Sequence, residues 1–136
     1  YQKLVHRILV SIRKGKKIKA RPQVESEATY SLWREEEDYL INWSQNAEQI
    51  RRFIDAVGHP YKGASSWIGE KKVRLVKAEV EDDVFVVNRD CGKVIFMREK
   101  YPVVVCGEGL LKITQAHFEE SKESLFPLKK FRTRFR

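Results

Sequence analysis

The run SSWIGEKKVRLVKAEV at residues 65–80 holds two strand-like arms around a Gly69-Glu70 turn. In the second arm Val73, Leu75 and Ala78 alternate with Arg74 and Lys77, the two-residue period of a strand with one buried face. Val76 breaks that alternation. Downstream, Val84–Val87 reads as another short strand, Asn88–Gly92 as a turn, and Lys93–Met97 as the next strand. Pro102–Cys106 and Leu110–Ala116 flank a Gly107-Glu108-Gly109 turn. Five or six short strands in about 60 residues predict a small closed or partly open β-barrel.

Upstream of the strands the period changes. Ala47, Ile50, Ile54 and Val57 recur at helical spacing with Phe53 beside them, Ser44 is the expected cap, and Gly58 and Pro60 end the helix. Residues 16–40 read as a connector, in which Arg21-Pro22 forbids helix and acids surround Tyr30 and Trp33. Those aromatics predict a segment anchored on a surface rather than a bare solvated linker. Residues 1–14 place Leu4, Val5, Ile8, Leu9 and Ile12 on one stripe of a basic helix that stops at Gly15. Such a stripe needs a partner. The chain starts with Tyr1 rather than Met, which makes a fragment of a longer protein the expectation.

The net charge of +8 is unevenly placed. Residues 1–21 hold eight Lys or Arg and no acid, and residues 129–136 hold five and no acid. The intervening 22–128 carry fourteen basic and nineteen acidic residues, so the expected folded body is mildly acidic. No apolar run approaches the roughly 18 residues that span a bilayer, and no secretory signal opens the chain. Cys91 and Cys106 lack the paired spacing of a zinc site, and no phosphate-cradling glycine loop or triad signature is present. A cytoplasmic protein is the expectation, with no metal and no catalytic residue in this chain.

A series of short segments in order carries more information. Pro22-Gln23, Ala28-Thr29-Tyr30, the acids Glu35-Glu36-Glu37-Asp38, Ile41-Asn42-Trp43, the helix through Ile50-Arg51-Arg52, Pro60–Ala64 and Cys106–Ile113 follow one another. This succession resembles the carboxyl-terminal half of the methionyl-tRNA formyltransferase family. The chain departs from the family pattern at Asn42, where an aspartate is usual, and at Tyr61-Lys62, where Trp-Pro is usual. Arg34 before the acidic run looks more like the sugar-nucleotide N-formyltransferase branch.

The resemblance implies an α+β, mainly β chain. A terminal helix and tail left over from a Rossmann-like catalytic domain would cover 1–21, with an interdomain linker over 22–40. A small OB-like barrel preceded by a helix would cover 41–128, with a basic tail over 129–136. The parent enzyme would move a formyl group from N10-formyltetrahydrofolate to the amine of a nucleotide-linked amino sugar. Its catalytic asparagine, histidine and aspartate would lie outside this chain, which would then be inactive alone and bind no cofactor. Trp33, Arg34, Tyr61 and Lys62 are the candidate substrate-binding or interdomain residues. The alternative is a tRNA-binding domain of the methionyl-tRNA enzyme, using Lys129, Lys130, Arg132, Arg134 and Arg136 on phosphates. Partners would be the chain's own catalytic domain, a second copy of the chain, and the nucleotide sugar or tRNA, with no membrane. Phe131 and Phe135 also suit a closing strand.

Overall fold

The computed structural model describes residues 1–18, 20–128 and 130–136. It divides into two compact units, Tyr1–Trp33 and Arg34–Arg136. The first unit contains helix α1 (Gln2–Arg13), with no buried residue, and a 3-10 turn at Glu25–Glu27. The whole stripe Leu4, Val5, Ile8, Leu9 and Ile12 is exposed, as are Tyr30, Leu32 and Trp33. Among the described residues no helix is long and apolar enough to cross a membrane.

The second unit begins with a 3-10 turn at Glu37–Tyr39 and helix α2 (Ala47–Ala56). Among the described residues its strands are β1 (Ala64–Ile68), β2 (Lys71–Glu81), β3 (Val94–Arg98), β4 (Tyr101–Val105) and β5 (Leu110–Phe118). They form one antiparallel sheet in the order β1-β2-β5-β4-β3. Ala47, Ile50, Ile54 and Val57 of the helical stripe are all buried, against a core that includes Val73, Leu75, Leu111 and Ile113. Register shifts on either side of Lys77 explain why Val76 breaks the alternation: a bulge turns it outward.

Both outer strands of that sheet pair with the same terminal segment. Trp67 N of β1 donates to Arg136 O at 2.7 Å, and Arg136 N returns a bond to Trp67 O at 2.9 Å. On the β3 side, Phe135 N donates to Gly92 O at 2.8 Å and Val94 N donates to Thr133 O at 3.1 Å. The hydrogen-bonded ring is thereby continuous, which removes the unpaired edges that an open sheet would present. Phe135 is 1% exposed and meets Trp43 with ring centroids 5.5 Å apart. Trp43 Nε1 in turn donates to Ser66 Oγ, which donates to Arg136 O.

Two expectations are corrected. The cap of α2 is Asn46, not Ser44: its side chain accepts from Gln49 N at 2.8 Å, and Gln49 Oε1 accepts from Asn46 N at 3.3 Å. This reciprocal capping box leaves Ser44 in the preceding turn, where its own N–H bonds Asn42 Oδ1. Val84–Val87 is a loop, not a strand. Asp83 Oδ1 takes the Val84 amide and Arg89, its Oδ2 takes the Gly109 amide, and Phe85 and Val87 are left exposed.

Candidate functional site

A buried cation organises one face of the second unit. Arg74 lies on β2 opposite Ser65 of β1 and His117 of β5. Its side chain is 2% exposed. Nη1 donates to Gly63 O at 3.0 Å, while Nη2 donates to Glu119 Oε1 at 2.6 Å and to Glu36 Oε1. The Tyr39 ring covers the guanidinium carbon, 5.8 Å from its centroid. Removing such a charge from water is costly unless it is paired, and here two carboxylates oppose it and, with the Gly63 carbonyl, take three of its five N–H groups.

Glu36 is the meeting point. Lys72 Nζ donates to its Oε1 at 2.5 Å and Lys62 Nζ to its Oε2 at 2.8 Å, in addition to Arg74. These bonds from Lys62, then Lys72, then Arg74 hold its carboxyl at about 2, below the ordinary 4.5. A lowered folded-state value means that the ionised form supports folding above the ordinary value and that this support fades as pH falls towards 2. Carbon-detected NMR should therefore show the Glu36 carboxyl titrating well below the free glutamates, with Lys62 Nζ shifting in step. An ordinary midpoint would contradict the cluster.

Of the candidate residues expected from the sequence, Lys62 is the one that joins the Glu36 cluster among the described residues. Trp33 is 97% exposed in the first unit. Arg34 Nη1 donates to Asp38 O at 3.4 Å, and its guanidinium stands 6.0 Å from the Phe53 ring centroid. Tyr61 is exposed, and its neighbour Lys62 is engaged by Glu36. Of the basic tail, Lys129 lies outside the described residues. Lys130 lines a groove of about 460 Å³ with Ile68, Phe118 and Leu125. Arg132 is exposed, Arg134 donates to Cys91 O at 3.4 Å, and the Arg136 backbone is in the ring described above.

Arg74, Glu119 and Arg89 carry most of the polar organisation, and sequence reasoning singled out none of them. Arg74 fits the polar phase of β2, so its alternation reads as solvent-facing; the 36–39 segment, Gly63 and Glu119 cover it. Arg89 donates to Cys106 O, Gly109 O and Asp83 Oδ1, each at 2.8 Å, and so braces the glycine turn. Gly107 N donates to Trp43 O at 3.0 Å and to Gln45 O at 2.9 Å, and Ala47 N donates to Glu108 O at 2.8 Å. Two motifs about sixty residues apart in the chain are thus one structural joint. Burial pushes the Cys106 thiol up to about 12, leaving it no thiolate to react at neutral pH.

Residues 34–126, more than half of the chain, match the family described as formyl transferase, C-terminal domain. The chain belongs to that family. Glu36, Lys62, Lys72, Arg74 and Glu119 of this formyl transferase C-terminal domain all fall inside the matched residues. Two crystal structures of substituted variants of HypX from Aquifex aeolicus are similar to it. They are 25% and 26% identical, with TM-scores of 0.66 and 0.65, and each match covers 90% of this chain. The chain spans about a fifth of the HypX length, 20% and 21% in the two matches.

Proposed function

We propose that this formyl transferase C-terminal domain is the non-catalytic part of a cytoplasmic enzyme. That enzyme transfers a formyl group from N10-formyltetrahydrofolate to the amine of a nucleotide-linked amino sugar. In this reading the ring of strands is an OB-like barrel, and the exposed stripe of α1 belongs against the sheet of a catalytic domain. The barrel then helps to place substrate and to hold that domain, and the chain alone transfers no formyl group.

One observation favours a sugar nucleotide over RNA. Unit Arg34–Arg136 carries nineteen Lys or Arg against seventeen Asp or Glu, and Lys72, Arg74, Arg98 and Lys112, four of the six cations on its strands, are paired with its own carboxylates. Lys72 and Arg74 hold Glu36 and Glu119, Lys112 holds Glu79 and Glu81, and Lys93 holds Asp90. An RNA-binding barrel needs an uncompensated positive face instead. The tRNA reading draws on a different fact: residues 1–33 carry eight basic and two acidic residues, and Lys130 and Arg132 are exposed.

The test joins the chain to a formyltransferase catalytic domain, as this reading requires, and assays formyl transfer to a nucleotide-linked amino sugar and to aminoacylated tRNA. Transfer to the sugar amine is expected, with tRNA binding by the present chain weak even at low salt. Tight tRNA binding that falls about a thousandfold or more between 50 and 200 mM salt would favour the second reading instead.

A further inference from the structure

Three cations from two neighbouring parts of the fold converge on one carboxylate. Lys62 comes from the loop after α2, Lys72 and Arg74 come from β2, and all three donate to Glu36. Surface ion pairs ordinarily bind one partner and contribute little. This arrangement differs because its floor is a buried guanidinium that Gly63 O and Glu119 hold in place independently of Glu36. Above that floor Lys62 is exposed and the Glu36 side chain is 39% accessible, so the position opens to solvent.

The charges suit a dianion. Lys62, Lys72 and Arg74 opposed by Glu36 and Glu119 leave one net positive charge. With Glu36 withdrawn and a phosphate monoester in its place, the cluster is neutral. A guanidinium fork with two ammonium groups matches the donors that tetrahedral oxyanions take. Two neighbours add to the match. Lys72 Nζ stands over the half-exposed Trp67 ring, 5.7 Å from its centroid, and a base can stack on that ring when Lys72 turns to the phosphate. The wholly buried Ser65 hydroxyl, on the Arg74 rung, has no hydrogen-bond partner among the described residues.

The geometry points to a phosphate-monoester site formed by Lys62, Lys72 and Arg74, plugged by the Glu36 carboxylate from within the same unit. Nucleotides are the ligand class, with phosphate on the cations and the base against Trp67. The site belongs to this unit alone and does not depend on which amine accepts the formyl group.

Calorimetry on the full chain with inorganic phosphate, AMP and an RNA hairpin tests it. Glu36→Gln removes the competing charge at constant shape and should tighten phosphate and AMP binding about tenfold, the effect of one charged hydrogen-bonding competitor. Adding Lys62→Met should reverse that gain, and AMP, unlike phosphate, should quench Trp67 fluorescence. Unchanged phosphate affinity in Glu36→Gln would overturn the proposal, as would binding of the hairpin without binding of phosphate or AMP. If Glu36→Gln melts early, Lys62→Met alone, at an exposed position, should weaken phosphate binding to the otherwise unchanged chain; equal affinity there would also overturn it.

Discussion

Replacing Gly107 with alanine is expected to remove about 3–5 kcal/mol of stability, a large part of the roughly 5–15 kcal/mol a domain possesses. A Cβ at this position would stand 1.9 Å from Ser44 O, 2.6 Å from Ser44 C and 3.1 Å from Gln45 O. All three are backbone atoms, so no rotamer change relieves the overlap. Relief requires withdrawing the 43–46 segment, which breaks the bonds from Gly107 N to Trp43 O and Gln45 O and the bond from Ala47 N to Glu108 O. Each is worth about 1 kcal/mol net, beyond an overpacking cost of about 1–3 kcal/mol. The control is Gly69→Ala, whose added methyl meets nothing within 4 Å and whose backbone strain costs about 1–2 kcal/mol. Urea unfolding followed by Trp43 fluorescence compares them, and equal midpoints would refute the joint.

Phe135→Ala should be similarly severe, about 3–5 kcal/mol, the usual cost of deleting a buried phenyl ring. The ring is buried against Trp43, and its backbone bonds Gly92 O between the β1 and β3 pairings. Loss of the ring therefore loosens both sheet edges together. Hydrogen exchange should accelerate at the amides of Trp67 and Val94, which donate to Arg136 O and Thr133 O. Phe131→Ala provides the contrast: that ring is half exposed, and its loss should change stability by no more than about 0.5 kcal/mol. Equal destabilisation by the two substitutions would mean that the terminal segment packs rather than closes.

Much of the second unit was legible because its signals are local. The stripe Ala47, Ile50, Ile54, Val57 and the alternation through Val73 and Leu75 follow from side-chain period alone, and the buried positions agree with them. The ordered short motifs pointed to the formyltransferase family, and residues 34–126 bear that out at the level of the C-terminal domain. Ser44 misled because Ser and Asn are both good caps, and the reciprocal Gln49 three residues after Asn46 outweighed it. Val84–Val87 misled because β-branched residues favour strands only where a sheet edge is free to receive them. Here the terminal segment occupies both outer strands.

The candidate site was the least legible part, and for a physical reason. A lysine, an arginine and a glutamate at positions 62, 74 and 36 carry no mutual period; only the sheet register and the path of the 34–39 segment bring them within hydrogen-bond reach. Sequence by itself determined the helices, five of the six expected strands, the uneven charge and the family at the level of the C-terminal domain, because those depend on neighbours within a few residues or on an ordered set of motifs. Tertiary structure alone decided that the segment holding Phe135 completes the ring and that Arg74 is buried rather than solvated. It also decided that Lys62, expected to reach for a ligand or a neighbouring domain, holds Glu36. Long-range pairing brings these groups together, and their partners are far apart in the chain.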